Sequence, residues 1–265
     1  MINILFGGNY KVFDGILLTV LSAIKHCDAP LNIYILTADL SDFNPEYKPI
    51  QEKDIELLNT IIKEKNSNSN VTRIVIGDEF NNWATNSKNH LNQYTPFAFL
   101  RLFADKIDLP EKVIYLDSDV MFNGNIKHLF DVDISKHELG VVKDRYGRWF
   151  INPNYFNSGV LLMNMKNIKK TNLLQKVRDM CFSKKMAFPD QTSLNKCCKN
   201  KIYLPRKFNE QGNPKKDTII QHFSKRIVWF PFHTINIKQY HFDQVQQKYK
   251  IHIYDDIFET YKRLK

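Results

Sequence analysis

Apolar positions along the chain arrive in two rhythms that alternate through its first third. Residues 2–6 form an apolar run interrupted only by Asn3, which predicts a short buried strand. From 14 to 24 the apolar residues return at Ile16, Leu17, Val20, Leu21 and Ile24, the spacing of a helix face. Residues 31–36 alternate as a second strand, 55–65 read as a helix, and 71–76 as a third strand. Strand and helix in strict alternation predict an α/β fold, a mainly parallel sheet with helices on both faces. The polar stretch 66–70 is too short for a domain linker, and no internal repeat is visible. Residues 83–94 read as irregular, followed by a helix over 97–106, and further strands fall at 113–116, 139–142 and 218–223.

The chemistry gathers where the 113–116 run ends. Val113-Ile114-Tyr115-Leu116 is followed by Asp117-Ser118-Asp119, and in an open α/β sheet ligands collect beyond the carboxyl ends of the strands. Side chains at i and i+2 of a strand share a face, so both carboxylates can converge on one hard cation, Mg²⁺ or Mn²⁺. The alternative is a strand ending in two solvated acids, Asp119 capping a turn. Asp131 and Asp133 do not follow a strand and read as structural. Gly7-Gly8-Asn9-Tyr10, after the first strand, lets the backbone approach a ligand closely. It is neither a dinucleotide fingerprint nor a P-loop.

Composition adds bounds. The 265 residues could form one large domain or two small ones, and 43% hydrophobic with 25% charged residues is ordinary for a soluble globular protein. The sequence opens directly on a strand-like run, with no charged leader, and no apolar run is long enough to span a bilayer. These features lead to an expectation of a cytoplasmic protein. Cys27, Cys181, Cys197 and Cys198 lack metal-finger spacing and fit reduced thiols. The net charge of +10 is uneven: residues 1–161 hold 16 basic against 20 acidic side chains, residues 162–265 hold 22 against 8. Such a split suits a polyanion or an anionic membrane, or simply solvated lysines. A nucleic-acid role lacks any helix-turn-helix, zinc or RNP signature, and no nucleic-acid partner is expected.

Arg101-Leu102, Leu109-Pro110-Glu111-Lys112, the strand with Asp117-Ser118-Asp119-Val120, and Asn125-Ile126-Lys127-His128-Leu129-Phe130 together resemble glycosyltransferase family 8. That is the family of glycogenin and the bacterial lipopolysaccharide α-galactosyltransferases. The resemblance spans roughly residues 2 to 230. It implies a GT-A fold and retaining transfer of a hexose, galactose or glucose, from a UDP-sugar, with Mn²⁺ (or Mg²⁺) held by Asp117, Asp119 and His222. It further implies that Asn9 and Tyr10 clasp the uridine, beside Gly7 and Ser118, and that Arg101 and Asp144 reach the donor sugar. Asn157-Ser158-Gly159 would leave room for sugar hydroxyls, Asp190 would face the sugar, and Gln191 would lie near the anomeric carbon. On the residues alone, Arg101 could be a surface ion-pair partner, but its apolar neighbours favour a functional guanidinium. Asp190 also fits an N-cap, and His90 could line the same pocket.

The sequence departs from the family at three places. Gly7-Gly8 stands where acidic residues often precede the Asn-Tyr pair, and Thr192 stands where many relatives have aspartate. After His222 the sequence is Ser224-Lys225-Arg226-Ile227-Val228-Trp229, so the usual Gly and Lys-Pro are missing and Lys225 or Arg226 would supply the charge for the diphosphate. Residues 1–234 are expected to form the GT-A domain and 235–265 a basic, aromatic extension. In the extension Ile253, Ile257, Phe258, Tyr261 and Leu264 would share a helix face, docked on the domain or on a membrane surface. The expected partners are a UDP-sugar and a glycan, glycolipid or glycoprotein acceptor. The alternative is a non-catalytic sugar-nucleotide or glycan-binding relative.

Overall fold

The structure, a computed structural model, describes residues 1–89 and 95–265. In chain order β1 (Ile2–Gly7), α1 (Phe13–His26), β2 (Leu31–Thr37), α2 (Glu52–Lys65), β3 (Asn70–Val75) and α3 (Asp78–Asn86) lead to a run of 3₁₀ turns, Pro96–Lys106. There follow β4 (Lys112–Leu116), β5 (Val120–Phe122), α4 (Lys127–Phe130), β6 (Leu139–Lys143), α5 (Gly147–Phe150) and β7 (Phe156–Asn164). Helices α6 (Met165–Thr171), α7 (Leu173–Ser183) and α8 (Pro189–Cys197) precede β8 (Lys201–Tyr203), β9 (Ile220–His222), β10 (Arg226–Trp229) and β11 (Phe232–Ile235). Two helices, α9 (Phe242–Tyr249) and α10 (Asp255–Leu264), close the chain.

Among the described residues the central sheet has the order β3-β2-β1-β4-β7-β6-β8. The pairs β3/β2, β2/β1, β1/β4 and β6/β8 are parallel, and β7 runs against both β4 and β6. Strand alternation sends Ile4, Ile114 and Leu116 into one buried layer with α1 and α2, and Leu5, Val113 and Tyr115 into the other with the 3₁₀ run and α7. The carboxyl ends of β1 and β4 lie side by side at one edge of this two-layered core.

Helix α1 is buried along most of its length, as an apolar helix must be. Its two hydroxyls serve the segment after the acidic loop: Thr19 Oγ1 donates to the Val120 oxygen at 2.7 Å, and Ser22 Oγ accepts from the Phe122 amide at 2.9 Å. Gly15 lets the helix approach that loop, because a Cβ there would stand 2.3 Å from the Ser118 carbonyl oxygen. Helix α2 starts earlier than apolar spacing suggests. Asp54 reaches back to the start of the helix, its Oδ2 accepting from the Gln51 amide at 3.3 Å while its own amide donates to the Gln51 carbonyl at 3.2 Å.

Of the stretch 83–94 expected to be irregular, residues 90–94 lie outside the described residues, and its start is helical. Trp83 belongs to α3, whose Phe80 and Trp83 pack edge-on against Phe103 at 5.2 and 5.6 Å between ring centroids. The asparagines between them hide a short helical spacing of large rings. The expected helix over 97–106 is present as the 3₁₀ run. Asp131 and Asp133 are structural: one pairs with Lys127 at 2.5 Å, the other accepts from the Ser135 amide at 2.8 Å.

The segment after residue 234 joins the same buried layer as α1. Ile237, Val245, Tyr249, Ile251, Tyr254, Ile257 and Phe258 are all part of it. Helix α10 is fastened to α1 by Lys25–Asp256 and Lys265–Asp14, each 2.7 Å. Ile253 precedes α10 and is exposed, and Leu264 is exposed as well, whereas Ile257 and Phe258 point into the core. The apolar face that could have lain on lipid is therefore spent on α1 and Phe242, whose ring stacks on Phe258 at 4.5 Å. Among the described residues no helix is long and apolar enough to cross a membrane.

Candidate active site

A cleft of about 320 Å³ opens beyond β1 and β4, the position the sheet topology favours for a ligand. Gly7 and Gly8 at the end of β1 form one wall, and Asp117, Ser118 and Asp119 after β4 form the floor. Arg101, Ser158, Asp190 and Gln191 close the far side.

His222 comes to the floor through a short ladder. β5, which starts just after Asp119, pairs antiparallel with β9 and sets Val120 opposite His222. His222 Nε2 lies 3.1 Å from Asp119 Oδ1 and 3.9 Å from Asp117 Oδ2. One ligand atom from each of the three residues falls within 4.8 Å of the others. Gly159 makes this possible: a Cβ there would stand 2.2 Å from His222 Cε1 and 2.8 Å from Asp117 Oδ2. His222 Nδ1 faces Asn209 Oδ1 at 3.2 Å, and Asn209 in turn donates to Asn157 Oδ1 at 2.9 Å. With its Nδ1 hydrogen given to Asn209, the ring offers Nε2 as a ligand, the arrangement by which outer partners orient a metal-binding imidazole. Two carboxylates and an imidazole so held fit a divalent cation.

A side chain from the far end of the chain already supplies positive charge here. Lys238 Nζ donates to Asp119 Oδ2, and also to the Phe223 carbonyl at 3.2 Å. Burial works against the charge on Lys238, but Asp119 outweighs it and holds the ammonium above its ordinary pKa. Burial would push the Asp119 carboxyl up, yet Lys238 and then His222 hold it far below the usual carboxylate range. Burial likewise opposes a charged His222, and Asp119 overrides it, so the imidazole sits above its ordinary value.

Arg101 is the brace of the opposite wall. Its guanidinium is buried, donates to the Ser158 carbonyl at 2.7 Å, and pairs with Asp117 Oδ1 at 3.1 Å and Asp190 Oδ2 at 2.9 Å. It also lies 4.6 Å from the centroid of the Tyr115 ring, whose hydroxyl donates to Asp117 Oδ1 at 2.7 Å. Burial raises the Asp190 carboxyl above its ordinary pKa, with Arg101 opposing and Asp117 adding. Asp190 sits one residue inside α8, whose N-cap is Phe188, so its carboxylate goes to Arg101 rather than to a cap. Gln191 Oε1 accepts from the Ser158 amide at 3.0 Å, and its Nε2 donates to Asp144 Oδ2 at 3.3 Å.

Several residues expected at the site stand behind or beside it. Asp144 and Asn157 do not line the cleft. Asp144 Oδ1 accepts from the Tyr146 and Gly147 amides, and Oδ2 is shared between Asn157 and Gln191. Asn9 is buried before the turn Tyr10–Val12. Tyr10 sends its hydroxyl to Glu46 at 3.0 Å, away from the cleft. Lys225 is exposed and does not line the cleft. Arg226 is drawn elsewhere, donating to Asn213 Oδ1 at 2.7 Å and stacked 3.7 Å from the Tyr249 centroid. His90 lies outside the described residues.

Besides Arg101, the cation among the described residues that lines the cleft is Lys238, accompanied by Tyr240. Its neighbour Gln239, fully buried, locks the segment by donating to the Ser118 carbonyl at 2.6 Å. A signal was present: after Ile235 and Ile237 the inward positions continue at 239, so 238 and 240 fall on the cleft side.

The fold is GT-A. The crystal structure of the galactosyltransferase LgtC in complex with donor and acceptor sugar analogues matches with a TM-score of 0.69 at 17% identity, covering 100% of this chain and 96% of that one. The glycosyltransferase GlyE of Streptococcus pneumoniae TIGR4 matches with a TM-score of 0.68 at 20% identity, over 100% of this chain and 65% of that one. At such identities the likeness is one of fold. The family follows from the sequence: the model of glycosyl transferase family 8 matches residues 3–230, and the chain belongs to that family. Glycosyltransferase GlyA of Streptococcus pneumoniae serotype 4 is 26% identical over 246 residues, 85% of this chain but 32% of that protein. The chain thus spans about a third of that relative's length.

Proposed function

We propose that the chain transfers galactose or glucose from a UDP-sugar to a hydroxyl of a glycan, glycolipid or glycoprotein acceptor, with retention at the anomeric carbon. The observation that carries this reading is the convergence of Asp117, Asp119 and His222 at the mouth of a cleft beyond two parallel strands. These three residues would hold Mn²⁺ in preference to Mg²⁺, since an imidazole among oxygen ligands suits the former. A cation bound there supplies Lewis-acid charge neutralisation toward phosphoryl oxygens.

The chain's own residues account for the rest. Lys238 places an ammonium beside Asp119, where it can swing to a diphosphate as negative charge develops on leaving. Arg101 fixes Asp117 and Asp190 at once, so the ligand carboxylate and the sugar-facing wall keep one geometry. Gln191, held by the Ser158 amide and Asp144, lines the cleft where the sugar would lie. Asp190 is engaged by Arg101, and Thr192 Oγ1 is bonded to the Tyr155 hydroxyl at 2.9 Å. Neither is a free carboxylate nucleophile, which favours front-face substitution in which the departing phosphate takes the acceptor proton. The four free thiols fit a reducing compartment.

The test is UDP release from UDP-galactose and UDP-glucose with Mn²⁺, followed by determination of the product anomer. Turnover of either donor with retained configuration supports the reading. Binding of UDP-sugar without release would leave a binding protein, and inversion would defeat the front-face mechanism.

A further inference from the structure

A second cavity of about 310 Å³ opens between α5 and the hairpin of β10 and β11. Arg145, Arg148 and Arg206 line it together with Trp149, Phe150 and Trp229. The rings are far from buried: Trp149 is 75% exposed, Phe150 65% and Trp229 60%. Phe150 and Trp229 meet across the opening, 5.8 Å between centroids. Rings of this size in a contiguous exposed group mark a binding surface.

The charges are unbalanced in the same place. Arg206 pairs with Glu210 at 2.5 Å. Among the described residues neither Arg145 nor Arg148 has a carboxylate within 4.0 Å. Arg145 Nη1 reaches only the Gln211 carbonyl, at 3.2 Å, and Arg148 Nε is a buried atom without a hydrogen-bond partner. Three guanidinium groups facing one carboxylate leave a surplus, and a guanidinium fork matches the oxygens of a phosphate.

The cavity adjoins the cleft through one residue. Asp144 Oδ1 takes the amides of Tyr146 and Gly147 at the start of α5, while Oδ2 takes Gln191, which lines the donor cleft. The hairpin is tied to the same element, since the Ile227 amide donates to the Tyr146 hydroxyl at 3.1 Å. Gln191 of the cleft and Tyr146 of the cavity are thus separated by a single side chain, so a molecule with a hydroxyl beside Gln191 would have the arginines within its reach.

We infer that this cavity holds a phosphate group carried by the acceptor, with Trp149, Phe150 and Trp229 covering its sugar faces. The inference rests on the proposed donor site, because that site is what makes its neighbour an acceptor. The phosphate could belong to a soluble sugar phosphate or to a lipid headgroup, and the two are separable.

The experiment is calorimetric titration with glucose and with glucose 6-phosphate, after saturating the donor cleft with Mn²⁺ and UDP. Glucose 6-phosphate should bind about tenfold tighter than glucose, the scale of a charge-assisted hydrogen-bonded pair. The preference should fall to about twofold or less in Arg148→Ala and survive in part in Arg148→Lys. In parallel, sedimentation with phosphatidylglycerol and with phosphatidylcholine vesicles is compared. Selective sedimentation with the former, lost in Arg148→Ala, with no soluble preference, assigns the phosphate to a lipid headgroup. Equal affinity for both sugars with equal sedimentation on both vesicles overturns the inference. So does a preference unchanged in both Arg148→Ala and Arg145→Ala. The affinity for UDP, read in the same series, keeps the two proposals apart. A chain that binds UDP without any phosphate preference loses only the cavity, whereas one that prefers glucose 6-phosphate yet fails to bind UDP loses the acceptor role along with the donor site.

Discussion

Two arginine environments in this molecule have opposite states. Arg101 is buried, and its guanidinium is divided among the Ser158 carbonyl, Asp117 and Asp190. Arg148 sits at the rim of an aromatic cavity with a buried Nε that meets no acceptor. The first arrangement is complete without a ligand, so its work is to hold other groups still. The second leaves charge unanswered, which is the condition under which an anion gains by arriving. A positive side chain near a cleft therefore says little by itself; its pairing tells whether it braces the protein or awaits a partner.

The largest expected effect comes from removing charge at the floor of the donor cleft. Asp119→Asn keeps the shape but loses a proposed metal ligand and the partner of both His222 and Lys238. Transfer from the UDP-sugar should fall by about 10³-fold, measured as UDP released at saturating Mn²⁺. The arginine contrast is next. Arg101→Ala strands two carboxylates in the interior and should cost about 3–5 kcal/mol in urea unfolding, whereas Arg148→Ala should stay within about 0.5 kcal/mol. Equal losses for both would erase the distinction.

Smaller effects sharpen it. Gly159→Ala puts a methyl 2.2 Å from His222 Cε1, so the ring must shift. Mn²⁺ affinity should drop about tenfold or more, at a cost of about 1–3 kcal/mol in stability. Lys238→Ala should weaken UDP about tenfold but leave uridine binding within about twofold, while Lys225→Ala should change neither. A loss in Lys225→Ala as large as that in Lys238→Ala would return the diphosphate to the segment just after His222.

Most of the frame was legible because local rhythm and tertiary need agree there. β1, α1, β2 and β4 are continuous apolar runs or helical stripes, and the Asp117-Ser118-Asp119 loop falls at a strand end as the alternation requires. The exceptions have distinct causes. Helix α3 was hidden by asparagines around Phe80 and Trp83, since side-chain polarity masks spacing in a helix this short. Asp144 and Asn157 were expected at the sugar, but their hydrogen bonds run to Gln191, Gly159 and Asn209, behind the cleft wall. Lys238 was only half legible: the alternation at 237 and 239 sets it on the outer side of its segment, but not what it meets there. Its proximity to Asp119 depends on how residues 235–241 thread past α1, with Gln239 buried against Ser118 and Gly15, and no local pattern encodes a contact across 119 residues.

The most direct test of the metal-centred cleft is the linkage between Mn²⁺ and UDP in the wild type and in His222→Ala. UDP should bind at least about tenfold tighter with Mn²⁺ than without it in the wild type, and the cation should make no difference once His222 is gone. An affinity for UDP that ignores Mn²⁺ in the wild type, or a Mn²⁺ dependence that survives His222→Ala, would contradict the account.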